Sequence, residues 1–98
     1  MEITREQAGT TLTISLRGPL DAATAPQLDA EIKKGLGGIK ELRWDFSDVD
    51  FMTSAGIREL LIAEKLLDED AEMKIYNANE NVRNALYLTD LISLIGLE

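Results

Sequence analysis

The chain has 98 residues, 45% of them hydrophobic and 29% charged, which suits one domain, residues 1–98, with a buried core of its own. It contains no cysteine and no histidine, so disulfides, thiolate and imidazole metal ligands, cysteine nucleophiles and the serine-histidine triad of most hydrolases are excluded. Eighteen acidic against ten basic residues give a net charge of -8, which opposes binding to phosphate backbones and anionic lipid.

The opening Met1-Glu2-Ile3-Thr4-Arg5 lacks the charged-then-apolar pattern of a leader. No apolar run approaches the roughly 20 residues needed to span a bilayer. The expectation is a cytoplasmic protein with neither nucleic acid nor a membrane as partner. A first strand is predicted over Ile3 to Glu6 and a second over Thr11 to Arg17, joined across Gln7-Ala8-Gly9-Thr10 as a hairpin. The second alternates without error: Leu12, Ile14 and Leu16 share one face, and Thr11, Thr13, Ser15 and Arg17 the other.

Gly18-Pro19-Leu20-Asp21 breaks that strand, and Thr24 with Gln27 three residues on has the form of a capping box. A helix is predicted from about Thr24, with Leu28, Ile32 and Leu36 as its buried stripe and Gly35, Gly37 and Gly38 as its stop. Glu41 to Ser47 and Met73 to Tyr76 alternate as strands. Between them Ser54 to about Asp68 has helical spacing, with Ile57, Leu60, Ala63 and Leu67 on one side and Ser54 as the cap. Ile62 and Leu66 point away from that stripe, either toward a partner or under a neighbouring helix. Asp68, Glu69, Asp70 and Glu72 read as a solvated acidic turn. A further helix is predicted from Asn79 to about Leu88, with Asn77 and Asn79 as cap candidates and Val82, Ala85 and Leu86 buried, and a short last helix over Leu91 to Leu97.

This order implies two right-handed βαβ crossovers and a mixed, mostly parallel sheet of four or so strands. Parallel strands covered on both sides read as continuous apolar runs, whereas these alternate, so all helices are expected on one face: an α/β fold of two layers.

The densest polar stretch runs from Asp45 to Gly56, between a strand's C-terminal end and the next helix, where open α/β sheets gather ligands. Asp45, Asp48 and Asp50 lack the glycine and terminal glutamate of a calcium loop and read as turn carboxylates, with no metal or cofactor expected. A metal-dependent enzyme built on those three carboxylates is the most distant of the readings. A phospho-acceptor of the receiver type would need an acidic pair after the first long strand, where only Asp21 stands. Ser54 is singled out because unpaired amides and the positive end of a helix dipole favour a phosphate there. As a nucleophile it fails: Met52 replaces the first glycine of a Gly-x-Ser-x-Gly elbow, and no histidine exists to activate it. Gly56 permits close backbone approach in the same turn.

Over nearly its whole length the sequence resembles the STAS domain, specifically the bacterial anti-sigma factor antagonists. Gly18-Pro19-Leu20-Asp21-Ala22-Ala23-Thr24 is similar to the family's Gly-x-Leu-Asp-x-x-Thr segment, and Trp44 to Met52 to its central strand and loop. Met52-Thr53-Ser54-Ala55-Gly56-Ile57 resembles the Asp-Ser-Ser-Gly-Leu signature, whose first, phosphorylated serine falls on Ser54. Asn81 to Leu86 and Leu88-Thr89-Asp90-Leu91 resemble the late helix and its Leu-Thr-Gly-Leu ending. Thr53 stands where the family has aspartate and Ala55 where it has the second serine, so Thr53 is the runner-up acceptor. The resemblance implies a two-layer STAS sandwich without catalytic activity. It also implies that the unphosphorylated form binds an anti-sigma factor, itself a serine kinase, and frees a sigma factor, while a PP2C-type phosphatase resets the switch. The implied partner-facing residues are Asp21, Thr24, Thr53, Ser54 and Gly56, with Ile62 added from the helical wheel; for Asp21 and Thr24 the alternative is a turn and a cap. The competing function is a STAS scaffold or small-molecule-binding module in which Ser54 only caps its helix.

Overall fold

The computed structural model describes residues 1–89, 93 and 95–98. β1 (Glu2–Ala8) and β2 (Thr11–Arg17) form an antiparallel hairpin in which Ala8 lies opposite Thr11. Gly9 takes a φ of 63°, the left-handed geometry that a two-residue hairpin turn requires and that glycine adopts freely. The connection is therefore only Gly9-Thr10, and β1 runs on to Ala8 instead of ending at Glu6.

From β2 the chain passes through α1 (Ala25–Ile32) to β3 (Glu41–Asp48), through α2 (Ser54–Leu66) to β4 (Glu72–Tyr76), and through α3 (Glu80–Tyr87) to β5 (Gly96–Leu97). β2 to β5 pair in parallel, and the sheet order follows the chain, β1-β2-β3-β4-β5. The fifth strand was not expected. Gly96 and Leu97 pair with Lys74 and Ile75 where a last helix was predicted. Ile95 is buried beside them, and Glu98 N–H donates to Ile75 O at 2.8 Å, so the free edge of β4 captures this segment. Leu91, Ile92 and Leu94 of that expected helix, like Asp90, lie outside the described residues.

Alternation in the strands becomes a division of the sheet into two faces. Leu12, Ile14, Leu16, Leu42, Trp44, Phe46, Met73 and Ile75 are all buried on one face, where Leu28 and Ile32 of α1, Leu60 and Ala63 of α2, and Val82 and Leu86 of α3 join them in a single core. Each fully buried leucine or isoleucine there contributes about 1.5–3 kcal/mol. The rings of Trp44 and Phe46 pack at 6.2 Å between centroids and tilt by 57°. The other face carries Glu41, Arg43, Lys74 and Tyr76. Lys74 Nζ lies 3.5 Å from Glu41, Arg43 pairs with Glu41, and the Arg43 guanidinium stands 5.5 Å from the Tyr76 ring centre.

α1 ends at Ile32, a turn before Leu36. Gly35 N–H donates to Ile32 O at 3.2 Å, and Gly35 itself takes a φ of 118°, which turns the chain out of the helix. Leu36 is nevertheless buried, as a loop residue. The acidic turn after α2 is exposed, as expected, and still makes two bonds: Asp68 Oδ2 accepts from Gly38 N–H at 3.1 Å, and Asp70 pairs with Lys40 at 2.6 Å. Both tie the α1–β3 connection to the α2–β4 connection.

Candidate functional site

Three connections meet at the C-terminal ends of the parallel strands: Gly18–Asp21 after β2, Val49–Thr53 after β3 and Asn77–Asn79 after β4. The first two are stitched together. Gly18 N–H donates to Asp48 O at 3.0 Å, Leu20 N–H to Phe51 O at 3.1 Å, and Thr53 N–H to Leu20 O at 3.0 Å. Leu20 and Met52 thus form an isolated parallel bridge beyond the ends of their strands. The third is tied in by one side chain. Asn79 Nδ2 donates to Val49 O at 3.2 Å and Asp50 O at 2.9 Å, while its Oδ1 accepts from Val82 N–H at 2.9 Å and caps α3.

The start of α2 rests on this platform. Thr53, extended at φ -102° and ψ 179°, is the N-cap and Ser54 the first helical residue, so the expected assignment of the cap to Ser54 moves by one residue. Neither hydroxyl caps the helix. Thr53 makes no side-chain cap bond, and the first turn holds no acidic residue. Gly56 and Ile57 donate their amides to Thr53 O at 3.0 and 3.1 Å, whereas the amides of Ser54 and Ala55 have no acceptor among the described residues. Ser54 and Thr53 are both exposed. Gly56 is buried: a Cβ there would lie 2.6 Å from Leu20 Cγ and 2.7 Å from Met52 Cγ, so its absence lets the first turn sit on the Leu20–Met52 bridge.

Asp21 and Thr24 lie directly before α1, and their side chains build the turn. Asp21 Oδ1 accepts from Ala23 and Thr24 N–H at 2.9 and 3.1 Å; Thr24 Oγ1 accepts from Asp21 N–H at 3.0 Å and donates to Pro19 O at 2.8 Å. Thr24 is the N-cap residue, but at φ -99° and ψ -20° its hydroxyl makes no cap bond, and the expected capping box with Gln27 does not form. Through Leu20 this turn adjoins Thr53 and Ser54. Ile62 lies two turns farther along α2, partly buried against the core and lining a groove between α1 and α2, while Leu66 is 47% exposed.

The carboxylates after β3 do not converge. Asp45 Oδ1 accepts from Ser47 N–H at 3.0 Å and Asn77 Nδ2 at 3.1 Å. Partial burial pushes that carboxyl up, but these two donors outweigh it and hold Asp45 below its ordinary value. Asp48 faces Arg17 at 3.9 Å. Among the described residues no three acidic side chains are grouped as metal ligands, and no helix is long and apolar enough to cross a membrane.

Three residues were not legible as site candidates. Phe51, in the loop before Ser54, is a large apolar side chain left 44% exposed. Asn79 was read as a cap only, since nothing in its sequence context signals its two bonds to the β3–α2 loop. Glu59 is buried at 7% exposure, although a charged residue in a helix reads as solvated. Burial pushes its carboxyl above the ordinary value, and neighbouring Asp29 pushes it the same way.

A family model described as the STAS domain matches residues 2–98. BtrV of Bordetella bronchiseptica, named as a candidate anti-sigma factor antagonist, is 27% identical over 96 residues, 96% of this chain and 83% of its own length. Among solved structures, an anti-sigma factor antagonist from Mycobacterium paratuberculosis has a TM-score of 0.85 at 23% identity, covering 98% of this chain and 83% of the other. The antagonist SpoIIAA in its unphosphorylated form gives 0.73 at 19%, covering 99% and 87%. Phosphorylated SpoIIAA of Bacillus gives 0.73 at 21%, covering 99% and 91%. The structural likenesses establish a common fold, and the match over residues 2–98 establishes the kinship: this chain belongs to the STAS domain family.

Proposed function

We propose that this protein is an anti-sigma factor antagonist that acts by docking, without catalysis of its own, and is switched by phosphorylation of Ser54. In its unphosphorylated form it binds an anti-sigma factor with serine kinase activity and so releases a sigma factor; a PP2C-type phosphatase restores it.

The observation that carries this reading is the state of the α2 N-terminus: an exposed serine at the first position of a 13-residue helix, with two open amides, no side-chain cap and no acidic residue in its first turn. A phosphate on Ser54 adds about 1.5 to 2 negative charges where the helix dipole favours them, so modification leaves the fold intact. On a chain of net charge -8, the same charge placed in an interface opposes docking, because it must be desolvated. The bonds made through Leu20, Met52 and Asn79 tie the loop to its neighbours, which favours a partner that reads chemistry at Ser54 over loop shape. STAS membership and the name of the Bordetella relative support the choice of partner.

Incubation with host extract and ATP, followed by peptide mapping, tests the switch. Phosphate is expected on Ser54 and is expected to disappear in Ser54→Ala. Phosphate on Thr53, or labelling that Ser54→Ala leaves unchanged, would overturn the assignment.

A further inference from the structure

Glu59 is the one buried charged residue among those described, and its Oε2 has no hydrogen-bond partner. It occupies the inward arc of α2 with Gly56, Leu60 and Ala63. Burial penalises the charged form of this carboxyl, so stability alone gives no reason for a carboxylate there. Glu59 lines an open groove of about 470 Å3 between α1 and α2, together with Asp29 of α1. Lys33 Nζ lies 2.8 Å from Asp29 Oδ2, while Arg58 acts on the two carboxyls only through space. Lys33 contacts Asp29 alone, Lys33 and Arg58 both line the groove, and Glu59 Oε2 is left without a donor. Pro26, Ala25, Ala55 and Ile62 form the apolar walls.

We propose that this groove receives an arginine side chain of the protein that docks at Ser54, its guanidinium donating to Glu59 and Asp29. The kind of partner rests on the function proposed above. A planar fork of donors meets two carboxylates on facing helices at once, which the point charge of lysine does not. The methylene stem of arginine matches small apolar walls, which a hydrated metal ion would not use. Position supplies the link to the switch: Ala22 and Ala55 line the groove and directly follow Asp21 and Ser54 in the chain. An anchor here and a phosphate at Ser54 would act on the same docked partner, one holding it and the other repelling it.

The test titrates blocked arginine (N-acetyl-arginine methylamide), blocked lysine and blocked citrulline, the uncharged isostere of arginine, into the isotope-labelled protein. Saturable amide shifts at Ala22, Ala55 and Glu59 are expected with arginine, affinity about tenfold weaker with lysine for the loss of one charge-assisted bond, and no saturation with citrulline. Glu59→Gln, which removes a buried charge and keeps the shape, is expected to stay folded and lose the arginine response. Ser54→Asp is expected to keep it, so that failure of the groove and failure of the switch are read separately. No saturable shift with arginine, equal shifts with citrulline, or undiminished binding by Glu59→Gln would overturn the proposal.

Discussion

The first turns of α2 and α3 emerge from the same end of the sheet and are finished in opposite ways. At α3 the positive end is quenched: Asn79 caps it with a bond from Val82 N–H, and Glu80 stands in the first turn. At α2 the N-cap Thr53 makes no side-chain bond, no acid follows, and the exposed Ser54 sits beside two open amides. One helix start is closed by side chains, and the other keeps its amides open, where the helix dipole favours negative charge. The two are coupled, because the side chain that closes α3 also holds the Val49–Asp50 carbonyls of the loop leading into α2.

The sharpest way to break the α2 arrangement is Gly56→Ala. Its Cβ would sit 2.6 Å from Leu20 Cγ, and the overpacking is expected to cost about 1–3 kcal/mol despite the gain in helix propensity. Thermal unfolding should show it as a fall of about 4–8 °C per kcal/mol. Next is the contrast of caps. Asn79→Ala is expected to lose about 1–2 kcal/mol through the cap and the loop tether, whereas Thr53→Ala stays within about 0.5 kcal/mol. Equal losses in denaturant melts would erase the distinction between the two helix starts. Ser54→Asp is expected to stabilise the fold by about 0.3–1 kcal/mol at low ionic strength, through the dipole, with the gain fading as salt is added.

A last prediction separates the start of α2 from its buried flank and depends on pH. The carboxyl of Glu59 is raised in the folded state by burial and by Asp29, so its stability penalty is absent below the ordinary glutamate range and complete above the raised value. Glu59→Gln should therefore melt higher than the wild type at neutral pH, with the advantage shrinking as the solution is acidified. An advantage constant with pH would show that Glu59 carries no such penalty.

What was readable in the sequence follows from which interactions are periodic. β2 and β3 were placed to within a residue because inward and outward side chains alternate on a sheet covered on one face. Leu28, Ile32, Leu60, Val82 and Leu86 were recognised as core by the same logic on helices. Local hydrogen-bond chemistry was less predictable. Thr24 and Gln27 match a capping box, but Pro19 O and the Asp21 amide take the Thr24 hydroxyl first. Gly96 and Leu97 have no strand alternation to read, since a two-residue strand is set by the edge it joins. For the candidate site, Ser54 and the turn at Asp21 were named from motif and resemblance, whereas Asn79 and Glu59 meet residues about 30 positions away in the chain and are visible only once α1, α2 and α3 are packed.

In the proposed switch, Ser54 decides what the protein holds. The most direct measurement uses wild type, Ser54→Ala and Ser54→Asp as baits in host lysate, with captured proteins identified by mass spectrometry. The prediction is that wild type and Ser54→Ala retain an ATP-binding kinase that Ser54→Asp loses. Capture of the same proteins by all three would contradict it and leave a STAS scaffold without a switch.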